Sequence, residues 1–518
     1  MVVAVVYSRA VIGVDAPLVS VETHLSSGLP PFNLVGLPET AVRESKERVR
    51  SAIINSGYEF PTRRITVNLA PADLPKHGTR FDLAIALGIL AASNQIPVGT
   101  LKHTECIAEL ALGGSLRPVR GILPAALAAR ATSRSILVAG GNEPEATLVR
   151  DLDVYAADNL DSVCQHLSGG VQLTKATTTV DGTTQTNGDP DLADIHAQYQ
   201  GKRAMEIAAS GDHNLLMIGP PGTGKTMLAT RLPGLLPSLS EDEAFESAAV
   251  LSISNLGFDM AHWRTRQFRS PHHTCSGVAL IGGGSIPRPG EVSLAHRGIL
   301  FLDELPEFER RTLEVLREPL ETGRVTISRA ARSASFPACF QLIAAMNPCP
   351  CGYHGDPSGR CTCTLERIER YRERISGPLL DRIDIHIEIA RQSEWIEANS
   401  SETGESSASV RRRVIRAQRA QLDGQAKLNH FLSTNEIKQY ARLSTECQNF
   451  MNDAFERYCL STRAYYRIVK PARTIADVEN HENIALNHLQ EAVNLRCLDR
   501  LAPRRHQPRT FAQLRRFA

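Results

Sequence analysis

The chain has 518 residues, enough for about three domains of ordinary size. Lys and Arg number 58 against 56 Asp and Glu, so the formal net charge is +2, and a uniformly basic coat protein for nucleic acid is excluded. Hydrophobic residues at 42% and charged residues at 22% exclude bulk disorder, while 5% aromatics give little support to a base-stacking platform.

The start of the chain, residues 1–7, is apolar but lacks a basic leader and a cleavage site, so it reads as a first strand rather than a signal peptide. No apolar run approaches the ~18–20 residues of a membrane helix, so a cytoplasmic protein without membrane contact is expected. Eleven cysteines then point away from disulfides and, for their one cluster, toward metal.

Residues 1–170 alternate short apolar strands (2–6, 65–69) with helical segments (83–92, and one opening at Pro124), which predicts an α/β domain. The threonine-rich stretch 171–190 reads as a linker. Residues 191–390 form a second α/β unit. From 391 to 500 a polar stretch precedes helical patterns at 410–420, 434–443, 446–459, 461–479 and 488–500. Pro471 falls inside one of them, where a proline costs about 3 kcal/mol unless the helix kinks. Residues 501–518 form an arginine-rich tail.

Gly219-Pro220-Pro221-Gly222-Thr223-Gly224-Lys225-Thr226 follows an apolar strand (215–218) and opens a helix. That order predicts a phosphate-binding loop for ATP. Backbone N–H groups cradle the phosphates, Lys225 reaches the terminal ones, and Thr226 offers its hydroxyl to Mg²⁺. A second apolar strand, 298–302, ends in Asp303 and Glu304. Beside a phosphate loop, Asp303 would hold Mg²⁺ through water and Glu304 would activate the attacking water. A third strand ends in Asn347, whose amide would position that water or touch the γ-phosphate; taken by itself, an asparagine before Pro348 reads first as a turn former.

Arg382 either caps a helix, pairs with a nearby acid, or acts as an arginine finger in the next subunit. Arg463 stands in the first turn of a helix, against its dipole, unless an anion such as a nucleotide phosphate is near. Cys349, Cys351, Cys361 and Cys363 form two close pairs around a nine-residue loop, and four thiolates suit tetrahedral zinc, with His354 as a substitute ligand. A metal-free, redox-sensitive loop is the alternative. The C-x-C spacing is tighter than usual for zinc.

These motifs in this order resemble the AAA+ ATPases, and more narrowly the magnesium-chelatase-like clade and its ComM/YifB competence family. The resemblance extends over nearly the whole chain, including Val35-Gly36-Leu37-Pro38-Glu39-Thr40, Phe268-Arg269-Ser270-Pro271-His272-His273, and Arg288 through His296. It implies a homohexameric ring that hydrolyses ATP between subunits and drives branch migration on single-stranded and branched DNA, alongside recombination proteins. By the same resemblance Asn347 is sensor 1, Arg382 the arginine finger and Arg463 sensor 2. A helix-2 insert (270–291) carries Arg288 beside a Gly282-Gly283-Gly284 tip. A hairpin before sensor 1 (about 322–337) carries Arg324, Arg329 and Arg332. Both would face DNA in a central pore.

Residues 1–170 resemble the proteolytic domain of Lon-type proteases, through Gly114 to Ile122. A serine nucleophile and a lysine base are required there. This chain has Gly78-Thr79-Arg80-Phe81-Asp82 and about Ala125 at those places, so a scaffold or partner-binding domain is expected. The fold expected is therefore a Lon-protease-like α/β domain, an AAA+ α/β core with a Cys-rich insertion at 349–363, and a C-terminal helical lid. A DNA motor leads the functional readings. A chelatase-like ATPase that remodels a protein partner comes next, an ATP-dependent protease third, and a non-enzymatic scaffold last.

Overall fold

The computed structural model describes residues 3–28, 31–177, 190–284, 286–329, 332–391, 404–458 and 460–501; the side chains of Arg329 and Arg332 and the tail beyond 501 lie outside the described part. In the N-terminal unit, strand Val3–Arg9 alternates buried and half-exposed residues, as a sheet with one covered face requires. It pairs antiparallel with Leu18–Ser26 and parallel with Thr104–Ile107. The full sheet has seven strands, in the order Phe32–Val35, Arg64–Ala70, Leu18–Ser26, Val3–Arg9, Thr104–Ile107, Ser135–Ala139, Val154–Ala157. Helix Asp82–Ala92 is buried on nearly every side, which explains its uninterrupted apolar sequence.

The second unit is built on five parallel strands, in the order Phe268–Arg269, Ile299–Leu302, Gln341–Met346, Leu215–Ile218, Ile385–Glu388. Three of them, Leu215–Ile218, Ile299–Leu302 and Gln341–Met346, are buried along their whole length, as expected of a sheet covered on both faces. Their C-terminal ends lie side by side, the place where open α/β sheets bind ligands.

Six α-helices follow among the described residues: Ser407–Gln425, Thr434–Tyr440, Thr445–Tyr458, Thr462–Val478, Leu486–Asn494 and Cys497–Leu501. Helix Thr462–Val478 runs on through Pro471, and its residues on both sides of the proline are buried against the core. Asp191 ties the start of the core to this lid. Its Oδ1 accepts from the N–H of Ser407 at 2.9 Å, and the Ser407 hydroxyl oxygen accepts from the N–H of Leu192 at 2.7 Å.

Helix Glu241–Ile253 joins the two α/β units. Ser240 and Glu243 form a reciprocal cap at its start, and three acids in its first turn complement the helix dipole. Its Phe245 and Ala248 enter an apolar cluster with Ile122, Ala126 and Val138 of the N-terminal unit.

Candidate nucleotide-hydrolysis site

The phosphate loop lies between strand Leu215–Ile218 and helix Lys225–Leu235. Gly224 precedes that helix at φ +85°, a conformation open to glycine at little cost. The Lys225 ammonium donates to the carbonyls of Gly219 and Pro220 at 2.7 and 2.9 Å, and lies 3.4 Å from Asn347 Oδ1. Burial pushes its pKa down, and the nearby Asp303 and Glu304 oppose that shift.

The Thr226 hydroxyl donates to Asp303 Oδ2 at 2.9 Å. These two oxygens, one from the loop and one from the neighbouring strand end, are the hard donors that Mg²⁺ takes. The structure thus gathers Gly219 through Thr226, Asp303, Glu304 and Asn347 at one point.

Glu304 has φ +52° and ψ +45°, the left-handed region that costs a non-glycine residue about 1–2 kcal/mol. Strain of this kind concentrates at functional sites. Its carboxylate lies 3.2 Å from Nδ1 of His273, which follows strand Phe268–Arg269 into the insert. In the sequence His273 belongs to a family signature, and nothing there assigns it to the acid. The contact joins residues that follow two separate strands, so spacing gives no signal for it.

Two more residues escaped assignment. The Gln198 amide donates to the carbonyls of Thr223 and Ala390, at 3.1 and 3.2 Å, and so clamps the phosphate loop to the end of strand Ile385–Glu388. Glu321 pairs with Arg382.

Arg382 and Arg463 stand at a different place. The Arg382 side chain is about nine-tenths buried, paired with Glu321, and also donates to the Pro378 carbonyl. Arg463 is largely exposed, with one guanidinium nitrogen 3.8 Å from Asp381, the residue before Arg382. Among the described residues neither has a hydrogen bond or ion pair to this chain's phosphate loop.

Glu321 ends the helix Arg317–Thr322 that leads directly into the hairpin Arg324–Arg329 and Arg332–Pro337. The hairpin buries Val325, Ile327, Ala334 and Phe336 and exposes Arg324. In the insert, Gly282–Gly283 pairs antiparallel with Arg288–Pro289, and Arg288 is exposed.

The four clustered cysteines converge after Asn347. Sγ–Sγ separations are 3.3 Å (Cys349–Cys351), 3.8 Å (Cys349–Cys361) and 3.7 Å (Cys351–Cys361), and Cys363 joins the group; His354 does not. A zinc tetrathiolate with Zn–S near 2.3 Å has S–S edges of about 3.8 Å, so the arrangement fits that ion. The Tyr353 backbone N–H contributes most to pulling the Cys351 thiol down to about 6. Gly352, within this knuckle, has φ +87°, and any Cβ there would come within 2.7 Å of Pro221. The knuckle therefore presses directly on the phosphate loop.

Two other groups hold ligand-type side chains but do not suit a metal. Asp384 is already bonded to Arg467 at 2.5 Å and flanked by His213 and His430. His488 accepts the Ala485 N–H on Nδ1, so its Nε2 carries the proton and faces Glu479 at 3.1 Å.

Among the described residues of the N-terminal unit, no lysine donates to a hydroxyl at the protease-like position. The Thr79 hydroxyl donates to Glu109, and Lys76 donates to the Pro71 carbonyl. Arg80 is buried and donates to the carbonyls of Arg9 and Arg120; burial pulls its pKa down to about 10. Ala125 is fully buried in the apolar core.

A five-stranded parallel sheet with a phosphate loop, an acidic strand end, an asparagine sensor strand and a helical lid defines an AAA+ nucleotide-binding protein of the magnesium-chelatase type. Residues 191–396 match the family model described as magnesium chelatase, subunit ChlI. Residues 404–496 match that for the ChlI C-terminal part, and residues 21–142 match a further ChlI model. The chain is 50% identical to the uncharacterized protein YifB of Escherichia coli, over 97% of this chain and 98% of that one. It is 49% identical to the competence protein ComM of Haemophilus influenzae, over 97% and 99%. A shorter match, 29% identical over 41% of this chain and 40% of its partner, is to Lon protease 2 of Bacillus subtilis. The chain belongs to the ComM/YifB family of magnesium-chelatase-like AAA+ proteins. Among the described residues no helix is long and apolar enough to cross a membrane.

Proposed function

We propose that this protein is an ATP-driven DNA motor, a branch-migration helicase that works as a homohexamer and promotes integration of single strands during transformation and recombination. The observation that carries the ATPase part is that the phosphate loop meets both neighbouring strand ends, Lys225 reaching Asn347 and Thr226 bonding Asp303. The DNA part is supported by the exposed Arg324 and Arg288 on two hairpins and by the name of the Haemophilus relative. Arg329 and Arg332 extend the same reading.

In this account Lys225 exchanges its backbone carbonyl partners for the β- and γ-phosphates. Thr226 and Asp303 hold Mg²⁺, which neutralises developing phosphate charge. Glu304 takes the proton of the attacking water, and Asn347 orients that water. Arg382 and Arg463, lying together away from this chain's own loop, act on the nucleotide of the neighbouring subunit. Arg382 must first leave Glu321, which links hydrolysis to the helix that carries the hairpin. Arg382→Ala should keep nucleotide binding and abolish turnover. Cys349, Cys351, Cys361 and Cys363 hold zinc, which stiffens the knuckle against Pro221.

The direct test is a synthetic four-way junction incubated with ATP. The wild type should resolve it into forked products, and Glu304→Gln should not; an unresolved junction with active wild-type ATPase sinks the motor reading. The three ChlI matches favour a second reading, an ATPase that remodels a protein partner. Turnover indifferent to DNA would favour it.

A further inference from the structure

The seam between the N-terminal unit and the nucleotide core holds two arginines that have no acidic partner among the described residues. Arg120 lies at the turn before helix Ile122–Ala131, and Arg288 lies in the insert. Both are exposed. Each donates to the same acceptor, Oδ1 of Asn255, at 2.7 Å from Arg120 and 2.5 Å from Arg288. Among the described residues neither makes an ion pair.

One neutral amide oxygen cannot neutralise two guanidinium groups. The two cations therefore converge from different domains onto a point of unbalanced positive charge, which a doubly accepting oxyanion would relieve. Asn255 keeps its amide N–H groups as further donors to such an anion.

The backbone under this seat is braced. Buried Arg80 donates to the Arg120 carbonyl, and the next residue, Gly121, donates its N–H to the Ser252 carbonyl at 3.0 Å. Gly121 also lies so close that a Cβ would come 3.3 Å from Ile253. Arg80 stands in the run where a protease of this fold would place its nucleophile. Here that buried position fixes the backbone of Arg120 instead.

We propose that Arg120, Arg288 and Asn255 form a seat for a backbone phosphate of a DNA strand, so that the N-terminal unit contacts the nucleic acid directly. The proposal rests on the DNA reading above. The seat reads no base, because guanidinium and amide donors to a phosphate carry no sequence information. Inorganic phosphate shares this chemistry and is the competing occupant.

The test is fluorescence anisotropy of a labelled single-stranded oligonucleotide with the full-length chain over a salt series. The variants are Arg120→Ala and Asn255→Asp, with Arg117→Ala as comparison because Arg117 already faces Glu109 at 3.5 Å. Asn255→Asp removes no cation but supplies an internal anion between the two arginines. Losing one phosphate contact per chain should lower the salt slope by about 0.7 and weaken low-salt binding by roughly tenfold. Both variants should show this loss on every oligonucleotide sequence, and Arg117→Ala should not. A repeat at matched ionic strength, with inorganic phosphate replacing chloride, separates the two occupants.

Wild-type binding with unchanged slopes in both variants overturns the seat and leaves the DNA reading standing. Absence of wild-type binding at low salt overturns both. Competition by inorganic phosphate without any change in DNA affinity for Arg120→Ala overturns the assignment to DNA. Equal melting temperatures of variants and wild type exclude misfolding as the cause of a loss.

Discussion

Two sets of carboxylates, one in each α/β unit of this chain, are used in opposite ways. In the N-terminal unit two buried carboxylates are matched by arginines. Arg9 grips Glu105 with two bonds of 2.6 and 2.7 Å, and Arg48 meets Asp82 at 2.8 Å. Even with Arg48 beside it, burial lifts the Asp82 pKa to about 6. In the nucleotide core the carboxylates at the strand end have no arginine or lysine partner among the described residues: Asp303, partly buried, accepts from the Thr226 hydroxyl and the Glu304 N–H, and Glu304, half exposed, faces one histidine. The first arrangement is spent on holding the fold. The second leaves groups free to meet a nucleotide, its metal and a water. The two sheets thus differ less in fold class than in whether these particular carboxylates are already ion-paired.

The largest expected effect breaks the core without touching the fold. Lys225→Ala should lower ATP turnover by more than about a hundredfold, through loss of phosphate binding, with the melting temperature nearly unchanged. Glu304→Gln should match it in turnover while still retaining labelled ATP on a filter. Retained hydrolysis in Glu304→Gln would remove the acid from its assigned role.

The reverse experiment strikes the N-terminal unit. Glu105→Ala leaves Arg9 buried without its partner and should cost about 3–5 kcal/mol of stability by denaturant titration. Turnover per folded molecule should hold. Loss of catalysis at full stability would mean that this unit does chemistry after all.

Zinc comes next in size. Purified protein should carry about one zinc per chain, and Cys349→Ser should lose it and lower turnover several-fold through the contact of the knuckle with Pro221. Mass spectrometry finding no metal in either protein would contradict the tetrathiolate.

The smallest effect is at His273. An exposed contact of this kind is worth up to about 1 kcal/mol. His273→Ala should therefore raise DNA-independent turnover by roughly two- to fivefold, by freeing a carboxylate that the histidine now restrains. A fall in turnover would show that the histidine aligns the acid for catalysis.

Local signals carried most of the core. The phosphate loop, the acidic strand end and Asn347 each sit at the end of an apolar strand, and short-range pattern is enough to mark them. The helical lid was also legible, apart from Pro471. Its ring occupies the buried side of Thr462–Val478, and packing there sustains a helix that propensity alone would interrupt. Contacts between distant segments were not legible. His273 reaches Glu304, Glu321 reaches Arg382, and Arg120 meets Arg288 on Asn255 only after the chain has folded. Sequence spacing carries no trace of such meetings. The burial of Arg382 was likewise invisible, because an arginine before a strand looks the same whether it faces solvent or an acid.

The central claim is that hydrolysis at Lys225, Thr226, Asp303 and Glu304 is coupled to DNA. Steady-state ATPase measured without DNA, with single strands and with a four-way junction tests it most directly, with Lys225→Ala as the control for contaminating activity. The account predicts strong stimulation by both DNAs at low salt, absent in Lys225→Ala. Wild-type turnover that is the same with and without DNA at low salt, where phosphate contacts are strongest, would contradict it.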